Sequence, residues 1–268
     1  MAVKNGQASV LMNSLSSRFN IVLAVILRDI RTRFGRSYLG YLIAIGWPLT
    51  HIVGLVVLMG ALRNSAPVIG TDNAVFIATG VVPYVLCLYP ARLMGYSIEN
   101  NRALFVFPIV RALDIILSRA IIEFLTAFTV VTLFFLGATI GGIDLVPIDV
   151  VGGATAVLGT VYFAISVGIL NTIICSIIRF WHIVFIVLMM IAYLTAGIFV
   201  IPSTLSEGAR QIVWYNPLLH CVEWLRSAYY EGYGDNMLSR SYLMWFATTC
   251  LALGLLGERF VRGKLLSQ

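Results

Sequence analysis

Uncharged apolar runs of membrane-crossing length alternate with short polar stretches along most of the chain. Six such runs occur, at 38–62, 74–91, 120–143 (interrupted only by Glu123), 150–178, 183–202 and the shorter 241–257. A helix needs about 20 largely apolar residues to cross a bilayer. The pattern therefore predicts an all-α integral membrane protein with six transmembrane helices, and residues 1–268 form one transmembrane domain.

Three other segments are patterned but do not span. Over 15–34, Leu15, Phe19, Val22, Ile26 and Ile30 recur at helical spacing, while Ser17, Asn20, Arg28 and Arg31 fall elsewhere on the wheel. This predicts an amphipathic helix lying on the cytoplasmic leaflet, either as an anchor or as a docking surface for a partner. The stretch 99–119 is too polar to span, yet Leu104, Phe105, Val106 and Phe107 need something to pack on, and Pro108 argues against one continuous helix. The stretch 203–240 is long and rich in aromatics. Asn216 suits an N-cap and Pro217 the first helical position. A helix over 217–230 would then put Leu218, Cys221, Val222, Leu225 and Tyr229 on one face and His220, Glu223 and Ser227 on another. It is expected at or within the outer membrane boundary as a re-entrant element.

Composition supports lipid as the main solvent. Of 268 residues, 60% are hydrophobic and only 11% charged, and the mean hydropathy is +0.94, whereas soluble domains carry about 25% charged residues. Fourteen of the 18 Lys and Arg residues fall on one set of alternating loops and termini. Short cytoplasmic loops carry the positive excess, so both termini are expected in the cytoplasm. The net charge of +6 then reflects topology, and no motif points to nucleic acid. The first fourteen residues are mostly polar, with no cleavable signal sequence in evidence. Cys87, Cys175, Cys221 and Cys250 lack disulfide or metal-ligand spacing and read as small apolar residues.

Enzymatic chemistry finds no support. There is no GxSG nucleophile, no HExxH, no acidic cluster for Mg²⁺ and no phosphate loop, so no catalytic residue, cofactor or metal site is expected in this chain and any ATP use must come from a partner. Two ionisable residues lie inside spans, where each is costly. Glu123, four residues after Arg119, suggests an i,i+4 ion pair, and His51, near Pro48, suggests a structural hydrogen bond. Tyr38, Tyr41, Trp47, Tyr84, Tyr89, Tyr96, Tyr162 and Phe163 could stack on sugar rings or simply belong to interfacial belts and helix packing. Gly137 and Gly141 form one close-packing GxxxG.

Two strings are more specific. Residues 28–48, RDIRTRFGRSYLGYLIAIGWP, closely resemble the opening of ABC-2 type permeases that export polysaccharides, above all the capsular-polysaccharide branch, where RTRFG followed by LGYLWAI and a Pro is usual. Ile43 replaces the Trp, and Trp47 stands before Pro48 where that branch has Glu. Residues 216–226, NPLLHCVEWLR, resemble the external NPLxHxxExxR helix of the same family, with Asn216, Pro217, Leu218, His220, Glu223 and Arg226 in register.

The resemblance implies a permease that forms a homodimer and pairs with two copies of a cytosolic ATPase, which would bind the ATP and Mg. The 15–34 segment becomes an interface helix and 99–115 a coupling region, with Arg28, Asp29, Arg31, Arg33, Glu99, Asn100 and Arg102 as coupling contacts. The substrate path is expected to involve Tyr41, Trp47, Tyr84, Tyr89, Arg92, Tyr162 and Phe163, and Asn216, Pro217, His220, Glu223 and Arg226 to shape the exit. The implied substrate is a lipid-linked capsular polysaccharide crossing the bacterial inner membrane, with membrane lipids around the chain and periplasmic export proteins beyond it. Alternatives are export of O-antigen or a teichoic-acid-like polymer, or, in a different class, a stand-alone channel or secondary transporter.

Overall fold

The computed structural model describes residues 2–34, 38–62, 69–70, 72–233 and 235–266. Every regular element among them is helical: α1 (Ala2–Phe34), α2 (Tyr38–Leu62), α3 (Asn73–Met94), α4 (Ser97–Asn100), a 3-10 turn (Arg102–Val106), α5 (Ala112–Ile140), α6 (Val150–Ile177), α7 (Trp181–Thr195), a 3-10 turn (Pro202–Thr204), α8 (Glu207–Trp214), α9 (Pro217–Tyr229), a 3-10 turn (Asp235–Met237) and α10 (Arg240–Leu266). Within these residues four helical stretches are long and apolar enough to cross a membrane, Leu39–Gly60, Asn73–Met94, Ala112–Ile140 and Val150–Ile177, and Trp181–Thr195 is a shorter apolar helix.

Several boundaries depart from the apolar runs for local reasons. The third run is helical from Ala112 rather than 120, because beyond Pro108 the Asp114 carboxylate accepts a 2.9 Å bond from the Arg111 backbone N–H and caps an extra two turns. The fifth stops at Thr195 rather than 202. Gly197 turns the chain at φ 76°, a left-handed conformation that favours glycine, with Pro202 packed where a side chain would stand. α10 continues past 257 to Leu266 and carries a buried Glu258. α1 extends the expected 15–34 segment back to Ala2. Val25 and Asp29 are buried, whereas Phe19 is 66% exposed with Leu23 and Leu27 beside it. A buried ion pair, described below, holds Asp29 against α5.

α3 is the central helix. Of its most apolar stretch 78% is buried, against 17% for α2, and it packs on α2, α5, α6 and α9. Burial at its C-terminus leaves four carbonyls in need of donors, since the last turn has no intrahelical partners. Asn171 Nδ2 donates to Ala91 O (2.9 Å), the Gly95 N–H to Arg92 O (3.1 Å), the Tyr96 N–H to Leu93 O (3.3 Å) and Thr172 Oγ1 to Met94 O (2.9 Å). Two polar residues inside the apolar α6 thus complete the end of α3. Asn171→Ala removes the donor for Ala91 O, and a loss of about 1–3 kcal/mol is expected for an unsatisfied buried acceptor. It is read as a lowered thermal midpoint of the detergent-solubilised chain.

Candidate functional site

The polar residues gather at two places. The first is a corner where α1, α4, the 102–106 turn, α5 and the α6–α7 turn meet. Arg28 Nη1 donates to Asn101 Oδ1 at 2.6 Å, and Asn101 Nδ2 donates to Ser97 O at 3.0 Å. Arg18 Nη1 donates to Ile109 O and pairs with Asp114 Oδ2, both at 3.0 Å, and Ser118 Oγ donates to Val22 O at 3.1 Å. Below the surface, Arg119 stands between Asp29 (3.7 Å) and Glu123 (2.9 Å), all three buried. Between Arg18 and Asp29, α1 is therefore fastened to α5 and to the 97–106 segment.

This arrangement sorts the expected coupling contacts. Arg28 joins α1 to the 97–106 segment, while Arg31, Glu99, Asn100 and Arg102 are exposed. The side chain of Arg33 lies outside the described residues. Asp29 is no surface contact; it is buried as a partner of Arg119, because a carboxylate on the packed face of α1 needs a cation. The Arg119–Glu123 pair has the i,i+4 geometry that the sequence suggests.

Beside this corner, the His182 ring stacks on Tyr96 with centroids 4.0 Å apart. Its Nε2 lies 3.7 Å from Glu99 and its Nδ1 3.2 Å from Cys175 Sγ. With Arg102 and Arg179 these groups line a cavity of 560 Å³.

The second polar cluster is α9. Asn216 Oδ1 accepts from the Leu218 N–H, and its Nδ2 donates to Ala192 O (2.7 Å) and Thr195 Oγ1 (2.9 Å), so one residue caps α9 and ties it to the end of α7. Pro217 opens the helix. His220, Glu223 and Arg226 do not form a polar outer face: they are 0%, 3% and 0% exposed. His220 Nδ1 accepts from the Ser239 N–H (3.1 Å), so Nε2 carries the proton given to Trp214 O (2.8 Å). Burial holds this imidazole below its usual range. Arg226 donates to Gly197 O (2.6 Å), Ile198 O (3.0 Å) and Phe76 O (3.4 Å) and lies 4.0 Å over the Phe76 ring. Glu223 is 3.6 Å from it and accepts from Tyr233 OH (2.9 Å); burial still keeps its pKa above the usual carboxylate range. Gly159 admits Trp224 where any side chain would collide, bringing α9 close to α6. These bonds fix the helix inside the protein and leave none of its ionisable groups for solvent.

The residues expected along a substrate path fall in separate places within one chain. Tyr41 and Trp47 project from α2, 41% and 72% exposed. Tyr84 and Tyr89 join Tyr193 around His51, whose Nδ1 and Nε2 lie 3.2 and 3.3 Å from the Tyr89 and Tyr193 hydroxyls. The hydrogen bonds expected of His51 are thus supplied by α3 and α7. Arg92 is half-buried at the end of α3. Tyr162 bonds Thr248 Oγ1 at 2.9 Å and Phe163 is buried near Phe246, both between α6 and α10. Sequence reasoning missed Arg18, Asn101, Asp114, Asn171, His182, Tyr193 and Tyr233. Asn171 had a signal, an amide within an apolar run; the others needed their partners from distant segments.

The chain is similar over most of its length to proteins named for polysialic acid transport and for capsule polysaccharide export. It is 28% identical over 239 residues to the polysialic acid transport protein KpsM of Escherichia coli, covering 87% of this chain and 90% of that one. Over 273 residues it is 28% identical to the capsule polysaccharide export inner-membrane protein CtrC of Neisseria meningitidis serogroup A, covering 94% and 95%. Over a further 273-residue alignment it is 27% identical to the capsule polysaccharide export inner-membrane protein BexB of Haemophilus influenzae, covering 96% of each. No family model matches the chain.

Proposed function

We infer that this chain is the membrane-spanning permease subunit of an exporter of capsular polysaccharide, a multi-pass protein of the inner membrane. The observation that carries this reading is similarity to capsule export proteins across nearly the whole of both chains. The all-helical architecture, with apolar helices of membrane-crossing length, agrees with it. Deleting the gene is expected to abolish surface polysaccharide and leave the polymer inside the cell, and returning it to restore export. Unchanged surface polysaccharide in the deletion contradicts the reading.

The finer proposal adds α7 and α10 to the four long spans, giving six crossings with both termini in the cytoplasm and one transmembrane domain over 1–268. Two copies pair with two cytosolic ATPases that bind ATP and Mg, and this chain has no catalytic role. The polymer enters on a lipid anchor, and periplasmic export proteins receive it. On nucleotide binding the ATPases press on the 97–106 segment. The Arg28–Asn101 bond passes that displacement to α1, and the contacts of α1 with α5 pass it into the membrane. α9, fixed by Arg226, remains a rigid rim beside helices that move.

Arg92, half-buried beside Tyr89, is placed to attract an anionic anchor or acidic sugar. Arg92→Ala is expected to lower export severalfold with a thermal midpoint within about 2 °C of the parent, as for substitutions outside the packed core. Unchanged surface glycan in that variant removes Arg92 from the path.

A further inference from the structure

An apolar groove adjoins the basic cavity near the α6–α7 turn. Phe163, Leu170 and Ile174 of α6 face Phe185, Leu188 and Ala192 of α7 across a space of 320 Å³. The same face of α6 continues one turn further to Ile177, which lines the 560 Å³ cavity with Arg102, Arg179 and His182. A bond from Trp181 Nε1 to Asn171 Oδ1 (3.0 Å) marks the boundary between the two spaces. From Phe163 to Ile174 the groove runs about 16 Å at 1.5 Å per helical residue, close to one leaflet of a hydrocarbon core about 30 Å thick.

We propose that these two spaces form one binding site for an anionic phospholipid, its acyl chain in the α6–α7 groove and its phosphate between Arg102, Arg179 and His182. Charge complementarity selects this occupant. The end of the site near the helix turn, where a headgroup sits, carries two guanidinium groups and an imidazole. Among the described residues Glu99 is the one acidic group lining it, 3.7 Å from His182. The end nearer mid-membrane is lined almost wholly by hydrocarbon. A zwitterionic lipid fills the groove but leaves the positive charge of the cavity unmatched, and a free phosphate fills only the cavity. The inference requires only that the chain sit in a bilayer, so it stands or falls separately from the export reading.

The test uses the full-length chain purified in mild detergent, stripped of lipid and offered phosphatidylglycerol or phosphatidylcholine, with bound lipid counted by native mass spectrometry. The parent chain is expected to retain one phosphatidylglycerol with a preference of roughly tenfold over phosphatidylcholine, as two arginines near an anionic headgroup supply. Arg102→Gln with Arg179→Gln should bring that preference to parity while leaving neutral lipid bound. Ala192→Trp or Leu188→Trp, each filling the groove, should lose both lipids at unchanged elution volume and thermal midpoint. The proposal is overturned if the parent retains no lipid, if the double-glutamine chain keeps its preference, if a folded groove-filled chain keeps its load, or if inorganic phosphate alone displaces the lipid.

Discussion

Arg226→Ala is expected to abolish accumulation of folded protein. The guanidinium is 0% exposed and donates to three carbonyls from two distant segments, Gly197 and Ile198 after α7 and Phe76 in α3. Truncation leaves the Gly197 and Ile198 carbonyls without this donor, while Phe76 O keeps Thr79 Oγ1 at 3.0 Å, and it leaves Glu223 buried beside a void. Breaking a buried charge pair in this way costs about 3–5 kcal/mol, a large part of the roughly 5–15 kcal/mol by which domains are stable. Arg226→Lys should recover little, because an ammonium cannot reach three carbonyls and lie flat over the Phe76 ring as a planar fork does. The measurement is the thermal midpoint of the detergent-solubilised chain with its yield in the membrane fraction. A wild-type midpoint for Arg226→Ala would mean that the three carbonyls do not depend on this residue.

Asn216 and Pro217 announced the start of α9 correctly, since capping chemistry is local to a few residues. The burial of His220, Glu223 and Arg226 was not legible, because their partners come from Trp214, Ser239, Gly197 and Phe76, brought together only by the tertiary fold. The long apolar runs were equally plain, as four of them became helices of crossing length at nearly the expected positions. Which faces of those helices are packed was hidden: a residue facing lipid is as apolar as one facing protein. Asp29, expected among the coupling contacts, is thus buried beside Arg119. Tyr84 and Tyr89 likewise gave no hint that they and Tyr193 surround His51.

The second large effect is expected at Arg119. Its guanidinium separates two buried carboxylates, Asp29 on α1 and Glu123 one turn further along α5. Arg119→Ala turns that arrangement into like charges in a poorly solvated space and removes the buried link between α1 and α5, at a cost of about 3–5 kcal/mol. Replacing all three together, as Asp29→Asn, Arg119→Met and Glu123→Gln, should recover most of the stability, because neutral packed groups often match a buried ion network. Export should nevertheless stay low in the triple variant if the charged link carries motion from α1 to α5. Thermal midpoints of the two variants, with surface glycan measured in parallel, separate these outcomes. If Arg119→Ala alone is as stable as the parent, the network does not hold α1 in place.

A permease driven by a partner ATPase should bring that partner with it when gently isolated from native membranes, with the accompanying proteins identified and counted by mass spectrometry. A cytosolic subunit bearing a phosphate loop is expected in equal amount with this chain, and is expected to be lost in a variant that deletes the 102–106 turn. A folded, well-behaved chain recovered without any ATPase contradicts it.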